Sequence, residues 1–195
     1  MTMKRIPCKF FILGLAVLLT ACASAQTGIQ TDQQMQNAEL TQTATVIPDI
    51  EPLLIQEGDL PQGYSAGSST QKVPTYYLKL FISEPDYFIR MQIQRASNSA
   101  GQVDVLYYAS KGSAKFAFDD IKGDMQGASE LNGVGETAII ETLSKEQETV
   151  QDSVGIVFIQ CHATVHFSIQ GTTDEQIAIS YVKKLSERLQ PVVCD

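Results

Sequence analysis

One short apolar run decides what kind of chain this is. Residues 10–19 are ten successive apolar or small positions, and Lys4, Arg5 and Lys9 stand in front of them. A secretory h-region runs to roughly 7–15 apolar residues behind a basic flank, whereas a helix crossing the hydrocarbon needs about 20. Small residues surround the point where the run ends: Thr20 and Ala21 precede Cys22, and Ala23 and Ser24 follow it. The chain therefore divides into a leader, residues 1–21, and a remainder that folds in water.

The order Leu19-Thr20-Ala21-Cys22 resembles the lipobox of bacterial lipoproteins. The resemblance implies a diacylglyceryl group on the Cys22 thiol, cleavage just before Cys22 by a dedicated signal peptidase, and acylation of the new amine by a fatty acid such as palmitate. One myristoyl-length chain anchors only marginally, but two or more, at about 0.8 kcal/mol per buried methylene, make attachment stable. The expected place is the cell envelope, on the outer face of a plasma membrane or in a periplasm, with the membrane reached through the lipid at Cys22. An ordinary secretory leader with an incidental Cys22 is the alternative.

Loss of the leader lowers Lys+Arg from 14 to 11 and leaves Asp+Glu at 22, a net charge of −11. Such a surface repels phosphate backbones and anionic headgroups, which disfavours nucleic acid as a partner and direct docking on an acidic membrane. Lys183, Lys184 and Arg188 are the nearest approach to a basic cluster, and a solvated helix face accounts for them. With Cys8 removed and Cys22 alkylated, Cys161 and Cys194 remain as an even pair in an oxidising compartment, and a disulfide between them is expected.

Residues 22–47 are rich in Gln, Thr and Ala without periodicity, the composition of a flexible tether; residues 48–195 form the folded domain. Residues 49–57 predict a short helix capped by Asp49, and a Ser/Gly-rich loop leads to Thr70. Strands are predicted over 76–83, 87–95 and 103–110, the last two joined by a loop at 98–101. Tyr87, Ile89, Met91 and Ile93 alternate with Arg90, Gln92 and Gln94, the period of a half-buried strand. Ser113 is placed to cap a helix that buries Ala114, Phe118, Ile121 and Met125. A turn at 133–136 precedes a strand over 138–143, and 145–152 reads as a polar loop. Residues 154–169 are too long for one strand, so a hairpin break is expected at Gln160-Cys161-His162. Thr172-Thr173-Asp174-Glu175 matches a capping box for a last amphipathic helix that Pro191 stops near Gln190. The fold class is α+β: an antiparallel sheet of about five to six strands with helices packed on it.

This layout, with Leu60-Pro61-Gln62-Gly63-Tyr64 and Gly133-Val134-Gly135-Glu136-Thr137-Ala138 as its turns, resembles small cell-envelope lipoproteins, PsbP-like proteins and the extracellular sensor domains of bacterial receptor kinases. The resemblance implies no catalytic residue. The two histidines, His162 and His166, would stand about 13 Å apart on one strand, too far to share a metal bound at about 2.1 Å, and read as residues of a polar surface. Asp119, Asp120 and Asp124 lack the loop of an EF-hand. Ser180-x-x-Lys183 has the spacing of penicillin-interacting enzymes without their partner motifs. Tyr76, Tyr77, Tyr87, Phe88, Tyr107 and Tyr108 are adjacent aromatic pairs that strands would send to opposite faces.

No catalytic, cofactor or metal-binding residue is assigned. The expected function is a non-enzymatic binding module, taking a protein partner or an apolar small molecule in a groove between sheet and helix. An envelope hydrolase or transferase is the alternative. The anchor is testable by intact mass: the mature chain should begin at Cys22 and carry acyl groups, and a chain that retains residues 1–21 would contradict it.

Overall fold

A computed structural model describes residues 47–80, 84–144 and 151–194. The leader, Cys22 and the tether up to residue 46 lie outside the described residues, as do 81–83 of the predicted first strand and 145–150 of the predicted polar loop.

Seven strands, β1 (Tyr64–Thr70), β2 (Tyr87–Arg95), β3 (Asn98–Tyr107), β4 (Ser129–Leu131), β5 (Thr137–Leu143), β6 (Ser153–Gln160) and β7 (Ala163–Gln170), form one antiparallel sheet. Their spatial order is β1-β2-β3-β7-β6-β5-β4. The helices α1 (Glu51–Leu54) and α4 (Glu175–Val193) pack on one face, and α2 (Thr75–Leu80) and α3 (Lys111–Asp124) on the other. The fold is therefore α+β, as the periodicities predict.

Strand alternation explains both faces. Val165, Phe167 and Ile169 of β7 join Val154, Ile156 and Phe158 of β6 under α4, against Tyr181, Val182, Leu185 and Leu189. The opposite side of β6, Val157 and Ile159, meets Ala114, Phe118 and Ile121 of α3 together with Phe88, Leu106 and Tyr108. A strand covered on both faces reads as a continuous apolar run, which is the pattern of β6. The strand-borne aromatic pairs behave as expected, Tyr87 and Tyr107 packing with the α4 face while Phe88 and Tyr108 lie under α2 and α3.

Several expectations are corrected. Residues 75–80 are helical rather than extended, because Tyr77 is fully buried against α3 and the sheet and this packing overrides β propensity. Residues 64–70 are an edge strand rather than a loop; β1 pairs only with β2 and is mostly exposed, so no apolar alternation is demanded of it. With β4 added, the sheet has seven strands.

The β2–β3 turn is Ala96-Ser97, both at positive φ, as two-residue hairpin turns of the primed types require, and residues 98–101 already belong to β3. Gly101 has φ +150°, and a Cβ there would meet the Ser168 carbonyl of β7 at 2.2 Å. Helix α1 is shorter than predicted and Ile50, not Asp49, precedes it. Helix α3 begins at Lys111 after Ser110, so Ser113 is inside it. Asp174, accepting from the Gln176 N–H at 3.0 Å, caps α4 in place of the threonine box. Pro191 does not stop α4, which continues to Val193; proline there removes one donor only in the final turn, where continuation costs least.

The hairpin break does fall at Cys161-His162, with Cys161 at φ +48°. The Sγ atoms of Cys161 and Cys194 are 2.05 Å apart, a disulfide across a sequence separation of 33. It ties the end of α4 to the β6–β7 turn, and His162 N–H donates to Val193 O at 3.3 Å beside it. Closing such a loop contributes about 3–4 kcal/mol in the chain-entropy account. The double variant Cys161→Ala/Cys194→Ala should lose that much in urea unfolding and show early fraying at the end of α4; unchanged stability would contradict a structural role.

Candidate functional site

Strand register places three ionisable side chains in a row across the middle of the sheet. Arg90 on β2 stands opposite Asp104 on β3, which stands opposite His166 on β7; directly paired residues share a face, in this case the one covered by α2 and α3. Asp104 is completely buried. Its Oδ1 accepts from Arg90 Nε at 2.7 Å, and its Oδ2 accepts from Arg90 Nη2 at 2.6 Å, Tyr77 Oη at 2.7 Å and Gln102 Nε2 at 3.1 Å. Four donor atoms from three side chains thus converge on the one carboxyl group, three of them on Oδ2.

The Tyr77 hydroxyl also lies 2.8 Å from His166 Nδ1. With the hydroxyl proton donated to Asp104 Oδ2, a neutral His166 that carries its proton on Nδ1 would donate to the tyrosine oxygen. Burial, then the charge and hydrogen bond of Asp104, push the Tyr77 hydroxyl well above its usual pKa. The hydrogen bond from Arg90 to Asp104 raises the arginine further. This network clasps α2 to the sheet. Arg90 is half-buried while Asp104 is completely buried, so removing Arg90 would leave a buried carboxyl without its cationic partner and destabilise the fold.

The second arrangement is a groove beside α3. Lys111, Gly112, Lys115, Phe118, Asp119 and Lys122 form one wall, and Glu136, Thr137, Ile159 and Cys161 form the other, around a cavity of about 440 Å³. Its floor is apolar, since Phe118, Ile159 and Cys161 are buried, while the lysines, Asp119, Glu136 and Thr137 are exposed at the rim. The wall is positioned from behind. Gly135, at φ +53°, approaches the Ile159 carbonyl so closely that a Cβ would sit 2.4 Å from it. Glu136 N–H donates to that carbonyl at 2.8 Å, and Glu136 Oε1 accepts from Cys161 N–H at 3.0 Å. Gly135 N–H donates to Ser186 Oγ of α4 at 3.0 Å, and Ser186 in turn donates to Gln160 Oε1 at 2.9 Å.

The residues singled out by sequence are scattered. His166 is half-buried in the row under α2 and α3 rather than on a polar surface, and His162 Nδ1 contacts the Tyr108 carbonyl at 2.9 Å; among the described residues the two histidines share no hydrogen-bond partner. Asp119 pairs with Lys115 at 2.6 Å and Asp124 accepts from Tyr76 Oη at 2.6 Å. Among the described residues, no group of three or more His, Cys, Asp or Glu is placed to hold a metal. Ser180 and Lys183 are exposed on α4. Arg188 and Lys184 are more than a solvated face, because both reach the buried Asp59, at 2.8 and 3.8 Å. Burial works against ionisation of Asp59, but Arg188, the Gln56 N–H and Lys184 outweigh it and hold the carboxyl below its usual pKa. Among the described residues, no helix is long and apolar enough to cross a membrane.

Sequence reading expected a groove between sheet and helix without naming its residues, and missed the Arg90–Asp104 pair. A lone Asp inside the apolar run Val103 to Tyr108, and an Arg inside the alternation of β2, were the available signals for the pair. No protein-family model matches this chain, and no curated protein is similar to it in sequence.

Burial lowers the pKa of His166, with Asp104 working to raise it and Arg90 to lower it. The unfolded histidine takes its proton below about 6.5 and the folded one only at lower pH. Between those values the unfolded chain holds more protons, so stability falls as pH drops. Asp59 acts lower, losing its contribution as pH falls below 3.8. Urea midpoints measured from pH 7.5 to 5 should therefore decline, and His166→Gln should flatten the decline; an unchanged slope would contradict the buried neutral imidazole.

Proposed function

We propose that this chain is a lipid-anchored protein of the cell envelope whose folded part is a non-enzymatic binding module, with its ligand in the groove between α3 and the β5–β6 side of the sheet. The anchor rests on residues 1–22. The binding site rests on one observation: a cavity of about 440 Å³ with an apolar floor and a polar rim. Small-molecule sites run to about 300–1,000 Å³ and are largely apolar with a few placed polar groups.

Two experiments separate the halves of the proposal. In detergent phase partition the mature protein should enter the detergent, and a Cys22→Ser chain should stay in water; equal partition would remove the anchor. All described elements lie between residues 51 and 193, so the mature polypeptide 22–195 carrying Cys22→Ser retains them. Titrated with the neutral apolar probe N-phenyl-1-naphthylamine, its amide NMR shifts should move at Lys111–Lys122, Glu136–Thr137 and Ile159–Cys161. Shifts confined to the α4 face, or none, would contradict the groove.

A further inference from the structure

We infer that the groove is selective for a small organic anion with an apolar body, such as a carboxylate or sulfonate on a ring or short chain. The inference rests on the groove being a ligand site and adds the chemical class of its ligand. Phe118, Ile159 and Cys161 supply the apolar floor, and the charges around it are not balanced. Of the five charged side chains on the rim, Lys115 and Asp119 neutralise each other at 2.6 Å. The Glu136 carboxylate is turned onto the Cys161 N–H. Lys111 and Lys122 form no ion pair among the described residues. They are eleven residues apart on α3, about three turns and 16 Å along the helix axis, so they lie on one stripe, and both line the cavity.

This placement stands out against a chain with 22 acidic and 14 basic residues. Elsewhere Arg90, Lys184 and Arg188 are engaged by carboxylates and Arg95 lies over the Tyr64 ring; Lys72, Lys79 and Lys183 also form no ion pair among the described residues, but they do not line the groove. The rim sets three lysines against Asp119 and Glu136, a net charge of 3 − 2 = +1, and an anion arriving at the groove meets Lys111 and Lys122, neither in an ion pair among the described residues, beside an apolar floor. The same overall acidity repels an anionic bilayer, which favours a monomeric ligand over a membrane surface.

The test compares two probes that differ by one charged group, 8-anilinonaphthalene-1-sulfonate and N-phenyl-1-naphthylamine, on the 22–195 polypeptide with Cys22→Ser, with binding located by amide shifts. The sulfonate should bind the groove about fivefold or more tightly. Lys111→Gln/Lys122→Gln, an exposed double substitution that leaves the core intact, should erase the preference, and added salt should weaken it. Equal binding of both probes in the groove would overturn the anion selectivity while leaving the groove as a site. Absence of either probe from the groove would remove both readings. Cosedimentation with anionic phosphatidylglycerol vesicles that the lysine variant abolishes would overturn the monomeric ligand in favour of a lipid surface.

Discussion

The pairing of β3 with β7 holds the described structure together. Strands β1 to β3 are neighbours along the chain, as are β4 to β7, and each set could form by local hairpins or short connections. Among the described strands, the backbone ladder that joins them is the seven-residue one from Gly101 opposite Ile169 to Tyr107 opposite Ala163. The joint is shaped for close approach: Gly101 leaves room for the Ser168 carbonyl, and Tyr108 N–H continues the contact by donating to the His162 carbonyl at 2.9 Å. Register matters as much as pairing, because a slip by one residue exchanges the two faces. It would send Asp104 toward α4 and Val105 toward α2.

Once the two halves are joined, each face needs a cover and the helices supply it. Helix α4 lies on β6 and β7 and is held at Tyr181, at Arg188 and just past its C-terminus. Leu54 O takes the Tyr181 hydroxyl, and Asp59 takes Arg188 near the α1 segment. Cys194 is bonded to the β6–β7 turn. On the opposite face α2 is too short to hold itself, a helix of six residues being marginal in isolation. The Tyr77 hydroxyl, shared by Asp104 and His166, compensates. Helix α3 covers the middle of the sheet but not the start of β5, and the groove is the space that remains beside it.

Much of this was legible in residue order. The alternation in β2, the long apolar run broken at Cys161, the buried stripe of α3 and the amphipathic α4 are local periodicities, and they recur in the structure with small shifts at the ends. What was not legible depends on partners far away in sequence. Residues 64–70 are a strand because β2 offers an edge, not because their side chains alternate. Thr75 to Leu80 is a helix because Tyr77 finds a buried carboxylate 27 positions later. The groove has no local signature, since its walls come from α3, the turn before β5 and the end of β6, and only the β6–β7 turn and the sheet order bring them together. The proposed anchor is the reverse case, resting entirely on residues 1–22.

Native-state hydrogen exchange of backbone amides tests the central claim, that the β3–β7 seam makes one cooperative body of the two strand sets and so fixes both the buried row and the groove wall. The amides of Val103, Val105, Val165 and Phe167 should exchange only through global unfolding, with the same free energy and the same denaturant dependence as those of α4, while the β1 edge and the ends of α2 open at lower cost. If β1–β3 and β4–β7 instead exchange as two units of different stability, the seam does not unite them and the account fails.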